Sequence, residues 1–171
     1  MKKYELTAEF IEKWGKKLFR IKALINFGSV EAGELGGYVE KEDNLAQDGD
    51  AWVCDDAEVY GNAWVYGNAE VCGNARVCGN ARVCGNADYL LIGRIGSRFS
   101  FTTFFKNKDK GITVSCGCFL GTIAEFRAKV TDTHGNNKHA KMYNLAADMA
   151  ELQILGEEHF DKLNTNKSEP F

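Results

Sequence analysis

Proline is nearly absent from this chain of 171 residues, which has one. No apolar run is long enough to cross a bilayer as a helix. No basic-plus-apolar leader with a cleavage site precedes the first element, so a cytoplasmic location is expected. The G-x-S-x-G, P-loop and H-E-x-x-H motifs are all missing, which removes the sequence signals of the commonest hydrolase, nucleotide-phosphate and zinc-protease sites. Histidine is scarce too: His134, His139 and His159 are the whole set, and all lie in the C-terminal part. What remains is an ordinary globular composition, 44% hydrophobic with a net charge of −3 and eighteen glycines.

The middle of the chain is periodic. Val53, Val59, Val65, Val71, Val77 and Val83 recur every six residues, each two residues after an alanine of the series Ala51 to Ala81. Gly-Asn fills the gap at Gly61-Asn62, Gly67-Asn68, Gly73-Asn74, Gly79-Asn80 and Gly85-Asn86. Residues two apart share one face of a strand, and Gly and Asn tolerate left-handed backbone angles. Each hexad therefore reads as a short strand followed by a corner. A helix is excluded, because positions i, i+2, i+6 and i+8 make no stripe at a period of 3.6.

The G-N-A-x-V-x run resembles the hexapeptide-repeat family. That resemblance implies a left-handed parallel β-helix in which three hexads make one coil of roughly eighteen residues. The expected fold is mainly β: a short left-handed parallel β-helix of about three coils over 39–101, an N-terminal β cap over 1–38, a C-terminal α+β cap with two helices over 102–155, and a polar, frayed tail over 156–171. The coil register continues through Gly93/Ile95 and Phe99/Phe101, and Leu45 and Val39 extend it upstream.

The flanks carry their own signals. Phe10 to Trp14, a Gly15-Lys16 turn and Leu18 to Leu24 read as a hairpin with Phe19, Ile21 and Ala23 on one face. Gly33 to Gly37 reads as a loop. Thr102–Phe105 and Ile112–Cys116 read as strands. Thr122-Ile123-Ala124-Glu125 is a capping box opening one helix, closed by Gly135. Asn136 or Asn137 caps a second helix to about Leu155, with Met142, Leu145, Met149 and Leu152 at helical spacing.

Candidate functional residues fall into three sets. The position between Ala and Val points outward, placing Trp52 and Trp64 outside, Glu58 beside Arg76, and Trp64 beside Arg82 for a cation–π contact. Exposed tryptophans suit an interface; cover by a terminal segment is the bland alternative. In the resembled family subunits pack as trimers, so a homotrimer is implied, with Trp52, Tyr60, Trp64 or Tyr66 at its seam. The second set is charge. Ten acidic residues stand against Lys41 between Glu31 and Glu58, whereas Arg76 to Lys110 is predominantly basic. If sequence order is spatial order, one end is acidic and suits a basic partner, and Arg94, Arg98 and Lys106 at the other suit a phosphate-bearing ligand; a solvated surface is the alternative. The third set is Cys116, Cys118, His134 and His139, the ligand types of a structural zinc but at poor spacing, with a strand-end cysteine pair and partly exposed histidines as the plainer reading. No other cofactor is expected. Cys54, Cys72, Cys78 and Cys84 read as reduced spacers, with Cys54 stacked on Cys72, Cys78 under Tyr60 and Cys84 under Tyr66.

Leu18 to Leu24, Phe27-Gly-Ser-Val, Gly33 to Leu45 and the later Ile92 to Phe99, Val114 to Phe119 and Gly121-Thr-Ile segments resemble a group of phage and prophage proteins. The resemblance implies a viral or mobile-element origin and no particular reaction. By analogy with other small phage proteins that have no evident enzymology, the expected function is a non-enzymatic phage-type binding protein acting in the host cytoplasm by occupying a host macromolecule or nucleotide, such as a component of host defence. The cap from Phe101 to Leu155 is the expected recognition element. Two alternatives stay open: an acyl-CoA-dependent acyltransferase, as in many hexapeptide-repeat proteins, and a purely structural trimerisation module. The repeat carries no histidine and no loop insertion, which weighs against the transferase.

Overall fold

Each hexad from Ala51 to Val83 forms one two-residue strand: β4 (Trp52–Val53), β5 (Glu58–Val59), β6 (Trp64–Val65), β7 (Glu70–Val71), β8 (Arg76–Val77) and β9 (Arg82–Val83). The computed structural model describes residues 1–165. The alanines and valines of the hexads are fully buried, and Gly61, Gly67, Gly73 and Gly79 take positive φ at the corners, as the alternation requires. Parallel pairing joins β4 to β7, β5 to β8 and β6 to β9, with Val53 opposite Val71, Val59 opposite Val77 and Val65 opposite Val83.

The expectation of a mainly β chain built as a left-handed parallel β-helix is corrected. The strands fall into four small sheets, of five, four, two and two strands, and three helices follow. The parallel ladders are two residues long and most stop after a single pairing, so they form no continuous solenoid. The register expected to continue through Ile95 and Phe101 instead turns back on itself. β10 (Tyr89–Ile95) and β11 (Ser100–Lys106) pair antiparallel, and β12 (Ile112–Cys116) and β13 (Phe119–Thr122) extend that sheet. Large residues explain the departure: Leu90, Ile92, Phe104 and Ile95 belong to a core shared with helices, which the small Ala-Val interior cannot accommodate.

The chain divides into two compact units after Asp88, rather than after Phe101. In the first, β1 (Tyr4–Lys13) and β2 (Lys16–Ala23) form the expected hairpin, with Trp14 and Gly15 both at positive φ, the requirement of a two-residue type I′ turn. Register shifts on both sides of β2 put Leu18, Ile21 and Ala23 inside and leave Phe19 half-buried. The Gly-rich segment expected as a loop is strand β3 (Leu35–Val39), antiparallel to β2 and parallel to β5. A Cβ at Gly36 would meet the Val53 carbonyl oxygen at 2.5 Å and the Trp52 ring at 2.6 Å. Glycine there lets the hairpin sheet lie directly on the repeat.

The second unit packs helices on the β10–β13 sheet. Helix α1 (Ile123–His134) starts at the capping box: the Thr122 hydroxyl accepts from Glu125 N at 3.2 Å, and Glu125 accepts from Thr122 N at 2.8 Å. Helix α2 (Lys138–Leu155) is capped by Asn137, which accepts from His139 N and Ala140 N. A third helix, α3 (Glu157–Thr165), occupies most of the segment expected to fray; the rest of that tail lies outside the described residues. The inner face of α2 is Ala140, Tyr143, Ala146, Ala147, Ala150 and Ile154. Met142, Leu145, Met149 and Leu152 make the outer face and are exposed. Among the described residues no helix is long and apolar enough to cross a membrane.

Candidate functional site

The two outward tryptophans have opposite fates. Trp52 is 1% exposed. Tyr4 and Phe27 meet its ring edge-to-face at centroid distances of 6.3 and 5.4 Å, so the N-terminal segment covers it and removes it as a binding residue. Lys3 helps hold that cover: its ammonium donates to the Ala51 carbonyl at 2.8 Å and lies over the Phe27 ring. Trp64, at the same position of the repeat, is 41% exposed. It stacks on Tyr66 at 4.1 Å and 17°. Arg82 is opposite Trp64 in the register, but its guanidinium is turned to the carbonyl oxygens of Asn62 and Ala81 rather than onto the indole.

The acidic stretch is answered by Lys2 and by the hairpin that follows it. Lys2 pairs with Glu42 at 2.6 Å, Lys16 with Glu40 at 2.5 Å, and Lys13 with the buried Glu58. Arg76 stands opposite Glu58 in the β5–β8 register, as expected, and its guanidinium lies over the Trp14 ring. Sequence order was a poor guide to spatial order here, because the antiparallel hairpin carries its lysines back across the repeat. The basic set is also dispersed. Arg94, near the end of β10, and Arg98, within the β10–β11 turn, are exposed. Lys106 ends β11 at the other end of the hairpin, about 20 Å away at strand rise.

The corner cysteines behave in two ways. Cys54 and Cys72 stack as expected but are joined by a disulfide, with Cα atoms 4.7 Å apart, so neither is a reduced spacer. Cys78 is buried against Tyr60, and burial pushes its thiol up from the ordinary value.

The third set partly converges. A cavity of about 110 Å³ in the second unit is lined by Cys116 and His134, with Tyr143, Lys129, Phe119 and Phe126 among its other walls. The His134 ring lies 5.8 Å from His139 and 5.8 Å from Tyr143. His139 Nδ1 is buried with no hydrogen-bond partner among the described residues. Cys118 is exposed past the turn at Gly117. Among the described residues only Cys54, Asp55 and Cys72 bring three metal-type ligand atoms within 4.8 Å of one another, so the Cys116, Cys118, His134 and His139 set does not close as a tetrahedral zinc cage does.

Tyr143 is the residue the sequence reading missed. Its hydroxyl faces Cys116, whose sulfur also receives the Thr102 hydroxyl at 3.1 Å. Burial, then the Cys116 thiol, pushes the phenol up to about 12, and Arg98 opposes the shift. The available signal was its spacing of four from His139, which puts both on one side of α2.

No protein-family model matches this chain, and no curated protein matches it. The cavity is well below the roughly 300–1,000 Å³ of ordinary ligand and cofactor pockets. What it offers chemically is a thiol, a phenol and an imidazole on a small apolar hollow.

The Tyr143 environment carries a pH prediction. An unfolded tyrosine releases its proton near pH 10, whereas the folded one holds it to about 12. Between those values the native state binds more protons, so stability is full below pH 10 and falls as pH rises toward 12. Denaturant unfolding at pH 9, 10 and 11, followed by a second-unit probe, is expected to show that fall and to show it flattened in Tyr143→Phe. An equal slope in the variant would assign the fall elsewhere.

Proposed function

We propose that this chain is a non-enzymatic binding protein that acts by occupying a host macromolecule, and that the Trp64–Tyr66 pair is its docking surface. One observation carries the reading. Trp52 and Trp64 occupy equivalent positions, the chain covers the first with its own N-terminal segment, and it leaves the second open on a strand of the repeat. A large, stacked, solvent-facing aromatic is the residue type that dominates protein interfaces. The resemblance to phage and prophage proteins is the reason to seek the partner in a bacterial host. The dispersal of Arg94, Arg98 and Lys106 favours a macromolecular face over a single phosphate-bearing ligand. The small cavity and the absence of histidine from the repeat favour binding over acyl transfer.

Trp64→Ala is expected to reduce capture of the partner at least tenfold without changing the unfolding midpoint by more than a few degrees, since the side chain is exposed. Affinity capture from host cells with wild-type and variant chains, followed by titration of the purified pair, measures this. A partner retained equally by both would sink the assignment. Native mass of the same two chains reports the alternative occupant of this face: a trimer lost on substitution would make Trp64 the seam of the homotrimer that the repeat resemblance implies.

A further inference from the structure

Helix α2 is apolar on two sides. Its inner side is filled by small residues and Tyr143 against the sheet and α1. About 150° around the helix, Met142, Leu145, Met149 and Leu152 stand out at 39%, 63%, 56% and 45% exposure. Their spacing of three, four and three residues is the a/d pattern of a helix that has a helical partner. A helix facing only a core on one side carries polar residues on the other.

We infer that this outer face of α2 pairs with the same face of a second copy of the chain, antiparallel, across a two-fold axis near the level of Ala147. Three observations select that occupant. The stripe is self-complementary about its centre, so that antiparallel pairing sets Leu145 against Met149 and Met142 against Leu152 of the other copy. The charges at its two ends are opposite. Lys138 and Lys141 lie in the first turn, on the side of the stripe, with no acidic residue beside them in that turn; Glu157 and Glu158 follow the last turn and are exposed. None of these four has an ion-pair partner among the described residues. Antiparallel pairing brings the lysines of one copy to the glutamates of the other; parallel pairing sets like against like. The area then fixes the strength. The four exposures amount to about two whole side chains per copy, far below the roughly 800 Å² per partner of a standard interface, so the pair is a reversible, concentration-dependent dimer rather than an obligate one. This face lies in the second unit and is independent of the Trp64 surface proposed above.

Sedimentation of the full chain between roughly 1 and 200 µM tests the inference, in wild type and in Trp64→Ala, where any association through that residue is removed. Both are expected to gain mass with concentration, and the double substitution Leu145→Asp with Met149→Asp is expected to weaken that gain at least tenfold. Both positions are more than half exposed, so the fold tolerates the change. In a background with the exposed Cys84 and Cys118 changed to serine, Met142→Cys with Leu152→Cys is expected to cross-link between copies under mild oxidation, and Met142→Cys alone is not. A Trp64→Ala chain that stays monomeric throughout the range overturns the inference. So does association that the aspartates leave unchanged, and cross-linking of Met142→Cys alone overturns the antiparallel arrangement.

Discussion

Trp52→Ala is expected to lower the stability of the first unit by about 3 kcal/mol, at the lower end of the range for removing a buried large aromatic. The indole is almost wholly enclosed, with Tyr4 and Phe27 on its edges and Gly36 against its ring. Its loss leaves a cavity walled by backbone, which cannot collapse cheaply. One feature reduces the cost: Trp52 Nε1 is buried without a hydrogen-bond partner among the described residues, and an unpaired buried donor carries a penalty of about 1–3 kcal/mol. Trp52→Phe removes that penalty while keeping most of the volume, so it is expected to cost less than about 1.5 kcal/mol. Urea unfolding of the three chains, read by a first-unit probe, measures the difference. Equal losses for Ala and Phe would overturn the assignment of the stability to the enclosed volume.

Gly96→Ala is expected to cost the second unit about 2–5 kcal/mol from two separate causes. Gly96 has φ of +75°, and a residue with a Cβ pays roughly 1–2 kcal/mol in the left-handed region. The same Cβ would overlap the Tyr143 hydroxyl and ring atom Cζ and stand 2.8 Å from Cε2, and overpacking of this kind adds about 1–3 kcal/mol. The two causes separate in a double-substitution cycle. Tyr143→Phe removes the overlapping oxygen, so Gly96→Ala is expected to cost less in that background, by at least about 1 kcal/mol. Because the phenol also faces Cys116, the displaced ring should change the reactivity of that thiol toward a small alkylating probe. A cost identical in both backgrounds would show that the hydroxyl oxygen contributes nothing, leaving the backbone angle and the ring carbons as the cause.

Several features needed only neighbours a few residues away. The Ala-x-Val alternation with Gly-Asn corners dictates a buried face and a turn within each hexad, whatever surrounds it. The Thr122–Glu125 box and the Asn137 cap satisfy backbone donors inside their own first turns, so both helix starts were legible. The candidate sites were less so. Cys116, His134 and His139 were singled out and do lie near one cavity, but Cys118 points away past its turn and Tyr143 went unnoticed. Convergence of side chains depends on how α1 and α2 rest on a sheet, and no local pattern records it. Met142, Leu145, Met149 and Leu152 show the same limit, since helical spacing identifies a face without saying whether that face looks inward or outward.

The sequence by itself determined the six-residue register, its inward alanines and valines, and the places where helices begin, because each follows from interactions closed within one or two turns of chain. Only the tertiary structure decided that the repeat forms short paired ladders and gives way to an antiparallel sheet at Tyr89, that Trp52 is covered while Trp64 is open, and that lysines of the hairpin answer the acidic stretch. Those outcomes turn on where a distant segment comes to rest. Tyr4 of the hairpin and Phe27 beyond it come to rest on the tryptophan beside Gly36, where the missing side chain allows close approach.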